Sequence, residues 1–478
     1  MTSELVSAKL LAPYFGSSLY VWASILAVTL GGLAIGYFAG GHLASHASSL
    51  KLLMCFALGS ALYMTALPQL SWIAYRFSEH LPFVASVVGS SFVLIFPPVC
   101  MMGALSPMII GRVTGGEARE ASRTGEVFAV STVGGIAFTL FSGFYSIPHW
   151  GLQIAIILSA IPLLLIPLMF FIFRRKFYPM LFSILFLGVF FSLSGRSDRS
   201  NLYTAEGLMG KIEVRDLNGN PFGNSKCQRT RVLFTDNIIQ TAIDLGTGSS
   251  CLDYTKVILE NLKKLPEYPK NALCLGLGGG ILSSELQECG VQVTAVEMDP
   301  RMMEIAKRYF HLNSKVTLIC DDARNALRKL DQKFDLIVID LFSAEVTPWH
   351  VLTLESFAAM EKLLSPRGNI VINTYGNLSS ESGRGNAILL KTLLQEGFYI
   401  SICYSGLRNA EDYRNLEIFA GKAPIPRQFT NQIDEEIPSM EGVSINSDLH
   451  PTIEFENAKA IWNRRKAFLM AMRQMHSG

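Results

Sequence analysis

Four places in the second half of this 478-residue chain could do chemistry. A buried strand from Ala272 runs into Gly276, Gly278, Gly279 and Gly280, and a helix follows. Glycine is needed there because the chain turns sharply and its backbone must approach a ligand closely. Glu297 ends the next strand, where a carboxylate can accept both hydroxyls of a ribose. Asp322, with Ala323 after it, follows the third strand and is placed to accept from an adenine amino group. Alone it would read as a solvated turn aspartate; beside Glu297 it reads as part of a nucleotide site. A dinucleotide fingerprint uses the same logic, but its G-x-G-x-x-G form wants glycine or alanine at 281, and Ile281 stands there. Asp340 ends the fourth strand, and in open α/β sheets chemistry gathers at strand carboxyl ends. It can orient or deprotonate an amine nucleophile, and capping the next helix is an equal alternative. His350 and Tyr375 are further candidates, of types more often structural than catalytic.

These residues need a scaffold, and the hydrophobic pattern predicts one. Lys211 to Arg215, Thr230 to Phe234 and Ile238 to Ile243 alternate as a small antiparallel β element. Ala272 to Leu277, Val291 to Val296, Val316 to Ile319, Leu336 to Ile339 and Ile370 to Ile372 then read as buried strands separated by helices, which is a doubly wound α/β sheet. The expected fold is an N-terminal α-helical transmembrane bundle followed by a class I, S-adenosylmethionine-methyltransferase-like Rossmann domain with a β element ahead of it. The expected divisions are 1–199 for a multi-pass membrane domain, 200–265 for the β-rich extension, 266–425 for the Rossmann domain and 426–478 for a C-terminal extension.

Composition supports the division. The chain is 50% hydrophobic and 17% charged, and the charges crowd into the part after Arg196. A net charge of +2 without a basic stripe argues against a nucleic-acid partner. A spanning helix needs about 20 apolar residues. Six segments qualify, near 18–41, 51–74, 83–111, 126–147, 152–173 and 177–195. Gly32, Gly36 and Gly40 clear one helix face for close packing, here read as intramolecular. Pro97, Pro98 and Pro107 predict a kink, or a break at membrane depth. Glu126 is expected to cap a helix N-terminus. Lys51, Arg112, Arg119, Arg123, Arg174, Arg175 and Lys176 place the loops after the first, third and fifth segments in the cytoplasm. Six spans would then leave the C-terminal domain outside, away from nucleotide cofactors made within the cell, so its side stays open. The expected location is the plasma (inner) membrane. No cleavable signal peptide is expected. The eight cysteines show no C-x-x-C pair and read mostly as small core residues. His42 and His46 read as a polar helix end, and no metal is expected.

The run from Leu273 through Glu297, Asp299, Pro300, Tyr309 and Phe310 to Asp322-Ala323-Arg324 resembles the spermidine synthases, the polyamine aminopropyltransferases. Leu233 to Gln240 resembles their β-hairpin, with Asp236 and a nucleoside-binding Gln240, and Tyr254 falls where their substrate tyrosine stands. Asp340 to Phe357, with Pro348, His350, Leu352, Thr353 and Glu355, is similar to the membrane-fused, multi-pass branch. So are Leu11 to Gly16 and the glycine-rich segment ending at Gly41. In that branch another helix usually precedes this point.

The resemblance implies aminopropyl transfer from decarboxylated S-adenosylmethionine to a small-molecule amine. Gln240, Gly276, Gly278, Gly280, Glu297, Asp322 and Ala323 would hold the nucleoside, Asp340 would be catalytic, and Tyr254, Glu345 and His350 would border the amine. Two departures stand out. The second strand-end aspartate of soluble members, thought to be the base, is Ser343. Their acidic pair before the substrate tyrosine is Ser250 and Cys251, and a later glutamate is Lys256. Glu345 or Asp244 could substitute geometrically. Methyl or aminocarboxypropyl transfer from S-adenosylmethionine itself, and an inactive scaffold or sensor joined to a transporter-like membrane part, are the alternatives. The lipid bilayer is the other expected partner, and a homo-oligomer is left open.

Overall fold

The computed structural model describes residues 2–16, 19–46, 49–78, 80–114, 120–175, 201–207, 209–218, 227–341, 348–378, 383–406, 414–426, 428–433 and 442–453, with short pieces between 178 and 188 and at 440, 456, 462 and 466. It forms two compact units, Met1–Arg199 with Ala205–Lys211, and Ser200–Thr204 with Ile212–Gly478.

The first unit is helical: α1 (Thr2–Phe15), α2 (Leu19–Ala44), α3 (Ser49–Thr65), α4 (Leu67–Ser78), α5 (Phe83–Thr114), α6 (Glu120–Phe141) and α7 (Ile147–Phe173). Among the described residues, three stretches are long and apolar enough to cross a membrane: Leu19–Ala44, Phe83–Val113 and Ala121–Phe173. The last has 53 residues, about 80 Å of helix and far beyond one crossing. A π-turn at Ser142–Ser146, near the end of the first predicted segment, and a non-helical Gly151 (φ 82°, ψ 171°), between the two, interrupt it. The predicted 51–74 segment is not one straight helix. Leu50–Thr65 and Leu67–Ser78 meet at 70°, and Pro68 has no N–H to continue the helical ladder across the break at Ala66. Most of the predicted 177–195 segment lies outside the described residues. The 14-residue α1, which buries Val6, Leu11 and Phe15, was missed because it is too short to read as a span.

Close packing of α2 on α5 follows from the glycines. A Cβ on Gly36 would press on the Cys100 carbonyl and Ala104 nitrogen, and one on Gly40 would overlap Ala104. The stripe thus serves packing within the chain. Helix α5 runs on through Pro97, Pro98 and Pro107, so no break occurs there. Glu126 lies inside α6 rather than at its start, because the helix begins earlier than the hydrophobic pattern indicated.

The second unit opens with an antiparallel sheet of β1 (Asn201–Ala205), β2 (Ile212–Asn218), β3 (Arg229–Thr235) and β4 (Ile238–Asp244). Asp236 and Asn237 turn the β3–β4 hairpin with positive φ, which Asn and Asp tolerate better than other side chains. The main sheet has seven strands: β5 (Asn271–Leu275), β6 (Gln292–Glu297), β7 (Thr317–Cys320), β8 (Phe334–Ile339), β9 (Leu364–Gly376), β10 (Tyr399–Ser405) and β11 (Arg414–Gly421). Their order is β10-β11-β9-β8-β5-β6-β7, parallel from β9 to β7, with β11 antiparallel to both β9 and β10.

Helices α8 (Asp253–Leu262), α9 (Ile281–Glu288), α10 (Pro300–Tyr309), α11 (Ala323–Lys329), α12 (Leu354–Leu363) and α13 (Arg384–Gln395) complete the domain. One apolar cluster joins Ile337, Ile339, Ile370 and Ile418 to Phe357 and Leu390, and the other joins Val338, Val371 and Phe419 to Ile258 and Leu286. The sheet is therefore covered on both faces, as a parallel sheet requires.

Candidate functional site

The glycine turn lies where β5, β6 and β8 end together. Gly276 has φ 97°, donates its N–H to the Val296 carbonyl at 2.9 Å, and leaves no room for a Cβ against the Asp340 carbonyl oxygen. Gly278 and Gly280 also have positive φ, and Gly280 is the N-cap of α9. Thr241 of β4 accepts the Gly279 N–H at 2.8 Å, which brings the Gln240 region of the hairpin to the turn. Glu297 accepts from Leu277 N at 3.2 Å and from Asp299 N at 2.9 Å. Burial pushes its carboxyl upward, and these two backbone donors oppose the shift. Its carboxylate is fixed beside the turn, a geometry suited to a ribose.

Asp322 is the N-cap of α11 and accepts from Asn325 N at 3.0 Å, with Ala323 as the first helical residue. Its other oxygen is 3.5 Å from His350 Nε2. Arg324 orders this corner, donating to the His350 carbonyl at 3.0 Å and to Thr353 Oγ1 at 2.8 Å. The structure thus groups His350 with Asp322.

Asp340 gathers a different set. Tyr254 Oη donates to its Oδ2 at 2.9 Å, and Asn373 Nδ2 donates to its Oδ1 at 2.9 Å. Burial drives the Asp340 carboxyl upward, while these two donors pull it back. Tyr254 is held well above its ordinary value, first by burial and then by the Asp340 charge. A buried acid, oriented at both oxygens and beside the glycine turn, can receive a proton from an amine.

Comparison with known proteins finds partial matches to transferases. A polyamine aminopropyltransferase from Vibrio vulnificus is 34% identical over 129 residues, 26% of this chain and 43% of that protein. Part of the chain is thus similar to the polyamine aminopropyltransferases, the spermidine synthases. A second polyamine aminopropyltransferase, from Thermoplasma volcanium, is 26% identical over 200 residues, 38% of this chain and 65% of that one. The chain therefore spans between about two fifths and two thirds of the length of these relatives. The profile of the methyltransferase domain family matches residues 272–368. A probable spermidine synthase structure from Corynebacterium glutamicum aligns with 52% of this chain and 94% of its own, at 15% identity and a TM-score of 0.41.

The spermidine synthase pattern also shows what the structure changes. Asp244 is no substitute for the missing acids. It accepts the backbone N–H groups of Thr247, Gly246 and Gln228 and so closes the turn after β4; those bonds hold its carboxyl below the usual range. Lys256 is taken up by a surface pair with Glu260 at 3.7 Å. Tyr375 lies on β9, two residues beyond Asn373. Ser343 and Glu345 lie outside the described residues. Asn373 and Thr241 were missed, since neither residue type signals chemistry without the strand register.

Cys227 and Cys251 are buried, as core cysteines are, but they form a disulfide across 24 residues that the sequence reading did not pair. The β3–β4 hairpin brings them together: the Cys251 N–H donates to the Ala242 carbonyl at 2.8 Å, a contact that spacing alone does not reveal. Cys251 leads into α8, which carries Tyr254. Replacing both cysteines by serine is expected to cost roughly 3 kcal/mol of domain stability. Thermal unfolding of the full chain, with and without reductant, checks this. Equal transition midpoints in the two conditions would contradict it.

Proposed function

We propose that this chain is a membrane-anchored aminopropyltransferase of the multi-pass branch, taking its aminopropyl group from decarboxylated S-adenosylmethionine and passing it to a small amine. One observation carries the proposal: the buried Asp340, oriented by Tyr254 and Asn373, adjoins the glycine turn whose neighbour Glu297 suits a ribose. Gln240, Gly276, Gly278, Gly280, Glu297, Asp322 and Ala323 hold the nucleoside in this reading. His350 then serves Asp322 more directly than the amine. The three apolar stretches anchor the chain, and the plasma (inner) membrane is the location we assign.

The chemistry asks little of the protein beyond placement. The lone pair of a neutral amine attacks the methylene next to the sulfonium, and a C–N bond forms. The C–S bond breaks with its electrons going to sulfur, so methylthioadenosine leaves as a neutral thioether. The nitrogen becomes a secondary ammonium and gives its proton to the Asp340 carboxylate. Alignment of the two reactants and removal of that proton are the protein's contributions.

The match of residues 272–368 to the methyltransferase domain family favours a second reading, methyl transfer from S-adenosylmethionine itself. Incubating the full-length protein with either donor and a set of amines separates the two by mass. Methylthioadenosine from the decarboxylated donor, accompanied by an aminopropylated amine, is the expected result. S-adenosylhomocysteine from the intact donor would replace it with methyl transfer, and no product from either would leave a scaffold.

A further inference from the structure

Four adjacent strands carry a line of polar side chains across one face of the sheet. Asp340 follows β8, Asn373 on β9 donates to it, Glu417 on β11 is the register partner of Asn373, and Cys403 on β10 is the partner of Glu417. Side chains alternate along strands, so these four share the face on which Val338, Val371 and Phe419 pack under α8. Glu417 is 0% exposed. Ser405 donates to its Oε1 at 2.6 Å, whereas Oε2 has no hydrogen-bond partner among the described residues.

A buried carboxyl oxygen without a donor carries an unrepaid desolvation cost. A cation that arrives with a ligand would remove it. Asp340 and Glu417 are two strand spacings apart, about 10 Å between Cα positions, which suits a short alkyl diamine with a hydrogen bond at each end. On the amine-transfer reading given above, we infer that Glu417 is a specificity residue whose free oxygen receives the far ammonium of a diamine while the near nitrogen stands at Asp340. It would restore the negative charge that Ser250, Cys251 and Lys256 fail to provide.

The surroundings support this placement. Tyr254, which bonds Asp340, also lies within electrostatic reach of Glu417. Burial pushes the Glu417 carboxyl up to about 8, with Asp340 and Asp253 adding to the shift and Ser405 opposing it. Lys264, the cation that reaches Cys403, is engaged by the Gln428 carbonyl and Thr430 Oγ1. An arriving ammonium would therefore ionise Glu417 and pair with it.

The test is calorimetric binding of 1,4-diaminobutane and 1-aminobutane to the full-length protein in detergent, saturated with methylthioadenosine. Wild type is expected to prefer the diamine, and Glu417→Gln to reduce that preference by about tenfold or more, since a charge-assisted hydrogen bond is lost. Should that variant fail to fold, Glu417→Asp retracts the carboxylate and is expected to move the preference toward 1,5-diaminopentane. Wild-type binding of amines with an unaltered preference in the variant overturns the role of Glu417 alone. Wild-type binding of neither amine overturns both this role and the amine-transfer reading.

Discussion

Asp340→Asn is expected to lower kcat for aminopropyl transfer by about 10²- to 10⁴-fold, the range for loss of a positioned general base. Asparagine keeps the size and one acceptor oxygen, so the Tyr254 or Asn373 bond can persist while proton acceptance is gone. The pH dependence gives a second readout with a definite sign. The base form is the carboxylate, and burial raises its pKa above the ordinary 3.8. Activity is therefore expected to rise with pH along a limb displaced above the usual aspartate range. Tyr254→Phe removes a donor that favours the charged form, so it should displace that limb further upward. A rate insensitive to Asp340→Asn, measured as methylthioadenosine release, would remove Asp340 from the chemistry.

The sequence exposes Asp340 because it ends an apolar strand at a place where chemistry collects. The glycine turn was legible for a similar reason: Gly276, Gly278 and Gly280 answer to backbone angles that other residues avoid. The antiparallel strands β10 and β11 were not read. The signal that builds parallel strands is a continuous apolar run, and Arg414–Gly421 carries a glutamate in its middle. That glutamate is Glu417, whose meaning appears only when the register sets it beside Asn373. Asp244 was misjudged because its partners are backbone N–H groups of a turn, which no residue type announces. In the helical unit, apolar length located the segments but not their interruptions. Those depend on the local backbone at Gly151 and on Pro68.

Glu297→Gln carries the other large expected effect, and it should fall on the donor rather than the amine. Both Glu297 oxygens already accept backbone N–H groups, from Leu277 and Asp299. Glutamine offers one oxygen and an NH₂ group, so one of those donors would face another donor. That mismatch costs about 1 to 3 kcal/mol, and two ribose hydrogen bonds to a charged acceptor are weakened as well. The sum corresponds to roughly 10²- to 10³-fold in donor affinity, with kcat at saturating donor much less affected. Glu297→Asp keeps the charge but draws it back from the ribose and should be intermediate. Burial raises the Glu297 pKa, and ribose hydroxyls bind best to the ionised form. Donor affinity should therefore weaken in wild type as pH falls through that raised value, and Glu297→Gln should abolish this dependence. A Glu297→Gln protein with unchanged donor affinity and unchanged pH dependence would mean that the nucleoside rests elsewhere on the sheet edge.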